Sequence, residues 1–389
     1  MPGHAIIAAH PADSASTSPA QPGILRRTTR LISSVVAWLF GSATLIVGLS
    51  ALAVVPVLNF LSLGYLIECS GRVARSGRLR DGFIGIRKAT VLGSLVTGTW
   101  LVILPLRFTV SMWRDAELIA PGSGVGRAWF IGLILLSTIA AIHITWAWLR
   151  GGKIRHFLWP APLRFFRWLR KPDKYHSARD TTVDYIAALR LPYYFWLGAR
   201  GFVGALAWLA VPVGILILAS SLPEKPAILL SLSGSLLLMV VVLFLFLLQA
   251  NFALTGRFGA MAEVHTVRKL FRQAPVAFLV ALLVTLLSAL PLYLLKIELT
   301  PREVAWLPSL LFVVFMFPAR ILTGWAMARA NRRESPRHWT FRWFARLLAI
   351  PVAFAYVVVV YLTQYLSWHG SLSLLEQHAF LVPTPLMSL

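Results

Sequence analysis

Among the polar side chains within stretches that are otherwise apolar enough to cross a bilayer, five stand out: Asn59, Arg107, Gln249, Asn251 and Arg320. An ionisable group at membrane depth is expensive, so it marks an ion path, a proton relay or a substrate pocket by default. Arg107 falls in the outer part of an apolar stretch at 91–112, and Arg320 in the inner part of one at 306–328. Both are close enough to an interface for the guanidinium to reach the head groups. Neither has an evident carboxylate partner, because the acids fall in the tails, the connecting segments or the span edges. Proton- or cation-coupled transport needs such a partner, which argues against that class. The amides at 59, 249 and 251 suit hydrogen bonding between helices, with a substrate site as the sharper alternative.

Other chemistry is sparse. His143 is a lone histidine in an apolar stretch, where a satisfied structural ring is the expectation. No His, Cys, Asp or Glu group has metal-ligand spacing; Glu376 and His378 near His369 lie in a tail without periodic support. "GSGVG" at 122–126 is too short for a dinucleotide fingerprint and reads as a turn, and no P-loop or G-x-S-x-G elbow occurs. "RDGFIGIR" at 80–87 resembles the Asp-Gly opening of CDP-alcohol phosphatidyltransferases. No further Asp follows in 82–114 to hold the metal ions that chemistry requires, so the class is excluded. Cys69, the single cysteine, permits no internal disulfide and reads as a small buried residue. The sequence thus predicts a non-enzymatic protein with no catalytic residues, no metal and no cofactor.

The elements that would position these residues follow from composition. The chain has 389 residues, of which 58% are hydrophobic and only 13% charged, so its natural solvent is a bilayer. The net charge of +23 comes from 37 Lys and Arg against 14 Asp and Glu. Because the basic residues flank apolar stretches, anionic head groups explain them and nucleic acid does not. Apolar stretches lie at 31–67, 91–112, 128–149, 201–221, 228–254, 276–296, 306–328 and 347–367. Between them, segments 68–90, 150–200, 255–275 and 329–346 carry six, eleven, four and six Lys or Arg, whereas 113–127, 222–227 and 296–305 carry two, one and two. This alternation predicts basic segments in the cytoplasm, an N-terminus inside and a C-terminus outside.

The stretch 31–67 is about 55 Å long as one helix, too long for a single crossing. Arg26, Arg27 and Arg30 before it and the basic segment after it both belong inside, so two crossings are expected. A turn near Gly48–Ala53 and a second helix starting at Pro56 meet that requirement. "NFLSLGYL" at 59–66, "NFALTGRF" at 251–258 and "ARILTGWA" at 319–326 share a Gly six residues in, which makes Gly64, Gly256 and Gly324 equivalent and gives their helices one direction. The repeating unit is an inward helix, a basic segment and an outward helix, four times over: 54–112, 128–221, 228–296 and 306–367. With the helix at 31–48, the expectation is an all-α polytopic transmembrane bundle of eight to nine spans. It is preceded by a disordered cytoplasmic tail at 1–30, rich in Ala, Pro and Ser, and followed by an outer tail at 368–389.

The basic segments have helical pattern of their own. In "PLRFFRWLR", Arg164, Arg167 and Arg170 recur beside Leu163, Phe166 and Leu169, the pattern of an amphipathic helix lying on anionic lipid. Ser177 with Asp180 suggests a capping box for a helix ending before Pro192, and Ser335 with Pro336 suggests another helix start. Arg72, Arg75, Arg164, Arg167, Arg170, Arg332 and Arg333 are accordingly the expected lipid-head-group contacts.

"PVLNFLSLGYLIECSGRVARSG", "DGFIGIRKA" and the span ending "LVILP" together resemble a family of bacterial multi-pass membrane proteins, planctomycete-type, defined as a domain of unknown function. The resemblance covers roughly residues 35–115 and implies an integral membrane protein without an assigned reaction. The sequence as a whole points to an inner-membrane protein whose basic cytoplasmic helices engage anionic lipid or a membrane-protein partner, a second copy of the chain included. A transporter or channel for a small or amphipathic solute is the alternative.

Overall fold

The computed structural model describes residues 24–170, 174–294, 306–365 and 370–376, and every regular element among them is helical. The principal helices are α1 (Ile24–Val54), α2 (Asn59–Ser76), α3 (Ile86–Ile119), α4 (Gly124–Leu149), α5 (Ile154–Leu158), α6 (Pro162–Leu169) and α7 (Lys174–Ala188). They continue as α8 (Leu191–Ala219), α9 (Glu224–Thr255), α10 (Val264–Gln273), α11 (Pro275–Leu294), α12 (Trp306–Asn331) and α13 (Trp339–Thr363), with a single turn, α14, at Ser373–Glu376. Among the described residues seven helical segments are long and apolar enough to cross a bilayer. An eighth arises if α10 and α11, bent by 111° at their junction, count as one broken span. The chain is an all-α polytopic membrane protein.

The stretch 31–67 does break in two, but later than expected. α1 continues through Val54, and the turn occupies 55–58, where Val57 takes a φ of 70°. Pro56 sits inside this turn, its carbonyl accepting from Leu58 N at 2.8 Å, rather than opening the second helix. That second helix, α2, is not among the apolar spans. Its last turns carry Glu68, Arg72 and Arg75, yet 13 of its 18 residues are buried. α1, α8, α9 and α12 wall it off. Protein rather than lipid is its solvent, so it tolerates polarity that a lipid-facing span cannot.

Those walls approach through small residues. A Cβ on Gly64 would lie 1.8 Å from Tyr194 O of α8, and one on Gly198 would lie 1.9 Å from Phe60 O of α2. α9 presses Ala253 O against Gly71, and α12 seats Gly324 against Ser70 O. Close backbone approach through glycine is how helices pack where the hydrophobic effect is absent. α12 runs parallel to α2: Tyr65 stacks on Phe317, and Arg332 donates to Ser76 O at 3.1 Å. Arg75 of α2 donates to Ala253 O near the end of α9 at 3.0 Å. We call the end where these three helices terminate the basic end.

The expected equivalence of Gly64, Gly256 and Gly324 is corrected by the backbone. Gly64 and Gly324 are mid-helix contact points, whereas Gly256 caps α9 at φ 70°. Its counterpart is Gly77, which caps α2 at φ 72°. In both places the glycine N–H returns to the carbonyl four residues back, Val73 at 2.7 Å and Phe252 at 2.8 Å. An extended arginine follows, Arg78 or Arg257, whose N–H donates to the hydroxyl of Ser76 or Thr255. A 3-10 turn comes next, at Leu79–Gly82 or Phe258–Ala262. The repeat is registered on Ser/Thr-Gly-Arg because only glycine enters the left-handed region without strain.

The connectors at the basic end fold back into the bundle. After Gly77 the chain climbs along α12: Gly82 meets Ile321, Phe83 meets Phe317 at 4.9 Å, and Ile84 O accepts from Tyr65 at 2.9 Å. From Arg332 to Phe317 is about 20 Å along a helix axis. After α4 the chain returns along the helix it has just left, with Phe157 O at 2.7 Å from a His143 ring nitrogen and Pro160 O accepting from Trp146 at 2.9 Å. α6 forms at the expected place, and α7 ends before Pro192, which sits in the first turn of α8. Two expected starts differ. Ser177 lies inside α7, and α13 begins at Trp339 under a His338 cap rather than at Ser335 and Pro336. Residues 1–23, most of the expected N-terminal tail, and 377–389 of the C-terminal one lie outside the described residues, while α1 already covers 24–30.

Gly64→Ala or Gly198→Ala should force α2 and α8 apart and cost about 1–3 kcal/mol, as overpacking does. Gly132→Ala, on α4 with open space around it, should be neutral. Thermal unfolding followed by tryptophan fluorescence in detergent would separate the two.

Candidate functional site

Glu68 is the polar centre of the bundle and is 4% exposed. Its Oε1 accepts from Arg75 at 2.6 Å and Arg72 at 3.4 Å, and its Oε2 accepts from the Tyr193 hydroxyl of α8 at 2.8 Å. One carboxylate therefore ties two turns of α2 to α8, and through Arg75 to Ala253 O of α9. This corrects the expectation that every acid lies in a tail, a connector or a span edge. Position 68 opens the arginine comb and so reads as the first residue of a loop. The spacing Glu68, Arg72, Arg75 puts all three on one helix face and was the signal available.

The five intramembrane polar side chains do not gather in one cleft. Asn251 is buried, and its Nδ2 donates to Ala260 O and Glu263 Oε2, both at 3.2 Å. Glu263 in turn holds Arg257 at 2.9 Å, so the amide pins the connector that follows α9. Gln249 is buried two residues earlier with Nε2 3.5 Å from Gly201 O of α8. Arg320 is buried in α12, and Asn59 is buried at the opposite end of α2 from its arginines. Arg107 is exposed on the outside of α3. None of the five lines a cleft at the basic end or the groove between α1, α2, α3 and α8.

The expected head-group arginines divide into two sorts. Arg72 and Arg75 turn towards Glu68 but keep about 43% and 44% of their side chains exposed. Arg164, Arg167 and Arg170 are exposed along α6, beside Leu163 and Phe166, which are 76% and 60% exposed. The other face of α6 rests on α4 through Phe165 and Trp168 against Trp146. Burial pushes the imidazole of His156, in the same connector, below its usual range, and Arg150, Arg155, Lys153 and Arg164 add to the effect. It stays neutral beside a dense cluster of cations.

Arg333 leads to a feature that sequence alone did not reveal. A cleft of about 280 Å³ is lined by Arg329, Arg333 and Arg337 above Val276, Val280 and Phe341. On the other side of the α10–α11 bend, a cleft of about 300 Å³ is lined by Arg268, Arg272 and Arg346 above Leu243, Leu247 and Phe278. No acidic side chain lines either one. Each combines a cationic rim with an apolar wall, the chemistry of a phosphate joined to hydrocarbon. A larger groove of about 450 Å³ between α1, α2, α3 and the start of α8 is mostly apolar, with Lys88 and Tyr185 at one side. Among the described residues no three His, Cys, Asp or Glu side chains gather in a way that could hold a metal ion.

Fold and clefts together define an integral, multi-pass membrane protein with one strongly basic end. No protein family matches the chain, and neither do curated proteins or solved structures.

Glu68→Ala should destabilise the protein by about 1–3 kcal/mol, since it removes the charge-assisted hydrogen bonds from Arg75 and Arg72 and the bond from Tyr193. Tyr193→Phe should cost about 1 kcal/mol, and the double variant less than the sum, because the two changes remove one shared contact. Additive losses in thermal unfolding would show that the hydroxyl and the carboxylate act independently.

Proposed function

We propose that this is a non-enzymatic protein of a bacterial inner membrane whose basic end faces the cytoplasm and engages anionic phospholipid. The observation that carries the reading is the pair of arginine-lined clefts with apolar walls and no acid among their lining residues. The arginines of α6, set beside an exposed Leu and Phe, support it from a separate element. Membership of the planctomycete-type family of unknown function accompanies the proposal, on the residues at 35–115 that resemble it.

The same charges set the orientation. Basic connectors facing the cytoplasm place the N-terminus inside and the C-terminus outside. Transport of a solute is not the preferred reading, because Asn59, Arg107, Gln249, Asn251 and Arg320 do not meet in one cleft.

The lipid reading is tested by reconstituting the protein in phosphatidylcholine with and without phosphatidylglycerol. Phosphatidylglycerol should raise the melting temperature by several degrees, and added salt should shrink the gain. Equal melting in both lipids would sink the reading. Orientation is tested separately: reporters fused after residues 30, 56, 77 and 121 should report inside, outside, inside, outside.

A further inference from the structure

We propose that the α10–α11 elbow binds a single phospholipid carrying two phosphates, one phosphate in each arginine cleft. The proposal rests on the reading that the basic end engages anionic lipid, and it names the lipid and the site.

The two clefts are adjoining halves of one feature. Arg337 N donates to Arg272 O at 2.9 Å, and Gln273 Nε2 donates to Arg333 O at 2.8 Å. Two hydrogen bonds thus clamp the end of α10 to the α12–α13 connector, with one cleft on each side. Arg268 and Arg272 stand one turn apart on α10 and converge with Arg346 of α13. Arg329, in the last turn of α12, and Arg333, two residues beyond its end, converge with Arg337. Each trio offers planar forks suited to the oxygens of a phosphate.

The charge is not used up locally. The C-termini of α10 and α12 contribute roughly half a negative charge each, which offsets about one of six cations. Arg329 lies over Trp325 at 5.2 Å and Arg337 over Phe341 at 5.1 Å, contacts that orient a guanidinium without neutralising it. Glu334, the acid of the α12–α13 connector, is exposed and lines neither cleft. Glu263, before α10, is held by Arg257 and Asn251.

Apolar walls decide between a lipid and a free anion. Leu243, Phe244 and the exposed Ile350 line the first cleft on its open side, and the exposed Val276 and Val280 line the second, on opposite faces of α11. Acyl chains attached to the phosphates would follow them into the bilayer. Two separate head groups would supply the same charge but require two lipids to be immobilised. A lipid whose phosphates share a glycerol bridge seats the second phosphate as an intramolecular step.

The test is thermal unfolding of the delipidated full chain in a neutral detergent, titrated with cardiolipin, phosphatidylglycerol, phosphatidylcholine or inorganic pyrophosphate. Cardiolipin should reach half its effect at a concentration about tenfold lower than phosphatidylglycerol, compared at equal phosphate. Phosphatidylcholine and pyrophosphate should do little. Arg268→Gln with Arg346→Gln, or Arg329→Gln with Arg333→Gln, should each reduce cardiolipin to the potency of phosphatidylglycerol. Arg164→Gln, Arg167→Gln and Arg170→Gln together should leave its advantage intact. Equal potency of the two anionic lipids on the unaltered protein would overturn the two-phosphate site and leave the broader lipid reading standing. Equal stabilisation by phosphatidylcholine would remove both. Pyrophosphate as potent as cardiolipin would make the ligand a free polyphosphate, and loss of the advantage in the α6 variant alone would place the site elsewhere.

Discussion

The structure depends on keeping a polar helix inside a membrane. α2 carries Glu68, Arg72 and Arg75 within its last three turns, and a bare helix of that composition would not sit in hydrocarbon. Two features make it stable. Neighbouring backbones close around it through Gly64, Gly198, Gly71 and Gly324, leaving no room for lipid. Within that wall the Glu68 carboxylate accepts from Arg75, Arg72 and Tyr193, so the charge is compensated on three sides. Each feature needs the other. Without close packing the carboxylate would face lipid, and without the arginines and the tyrosine it would be buried and unpaired.

This hub explains the layout around it. α8, α9 and α12 each contact α2 at a fixed point, and the hydrogen bonds from Arg75 to Ala253 and from Arg332 to Ser76 bring three helix ends to one level. The connectors leaving that level do not loop into water. They cap on Gly77 and Gly256, pass an extended arginine and return into the bundle as 3-10 turns. Their backbone groups find partners inside: Ile84 O on Tyr65, Ala260 O on Asn251, Met261 O on Trp208. Re-entrant backbone at membrane depth is tolerated only where protein satisfies it. Tyr65, Asn251 and the partly buried Trp208 serve that end, which gives Asn251 a structural role.

How much of this the sequence reveals depends on which environment each residue answers to. Lipid-facing helices such as α4 and α9 are plain in the hydropathy, because contact with hydrocarbon permits little else. The alternation of basic and neutral connectors is equally plain. α2 is not, since a helix surrounded by protein obeys the chemistry of its neighbours, and three of the four, α8, α9 and α12, lie more than a hundred residues away. For the same reason Glu68 looks like the start of a loop, and the true repeat, Ser/Thr-Gly-Arg, is overshadowed by a longer apolar match. The turn at 55–58 and the His338 cap fall a few residues from where local signals place them, because packing of the helices sets the ends.

The arginine clefts are of a further kind, legible only in three dimensions. Arg268 and Arg272 belong to one basic connector, and Arg329, Arg333, Arg337 and Arg346 to another more than fifty residues later. Counting charges by connector separates them. The 111° bend at Ala274, with the hydrogen bonds to Arg333 and Arg337, is what assembles six of them around one elbow. Orientation alone asks only that basic residues lie on the inner side, and scattered surface positions would satisfy it. Convergence on two apolar-walled clefts is a stricter arrangement, since like charges brought together repel unless something anionic lies between them. The bend that breaks the α10–α11 span thereby gathers the arginines of two distant segments into a pair of apolar-walled clefts.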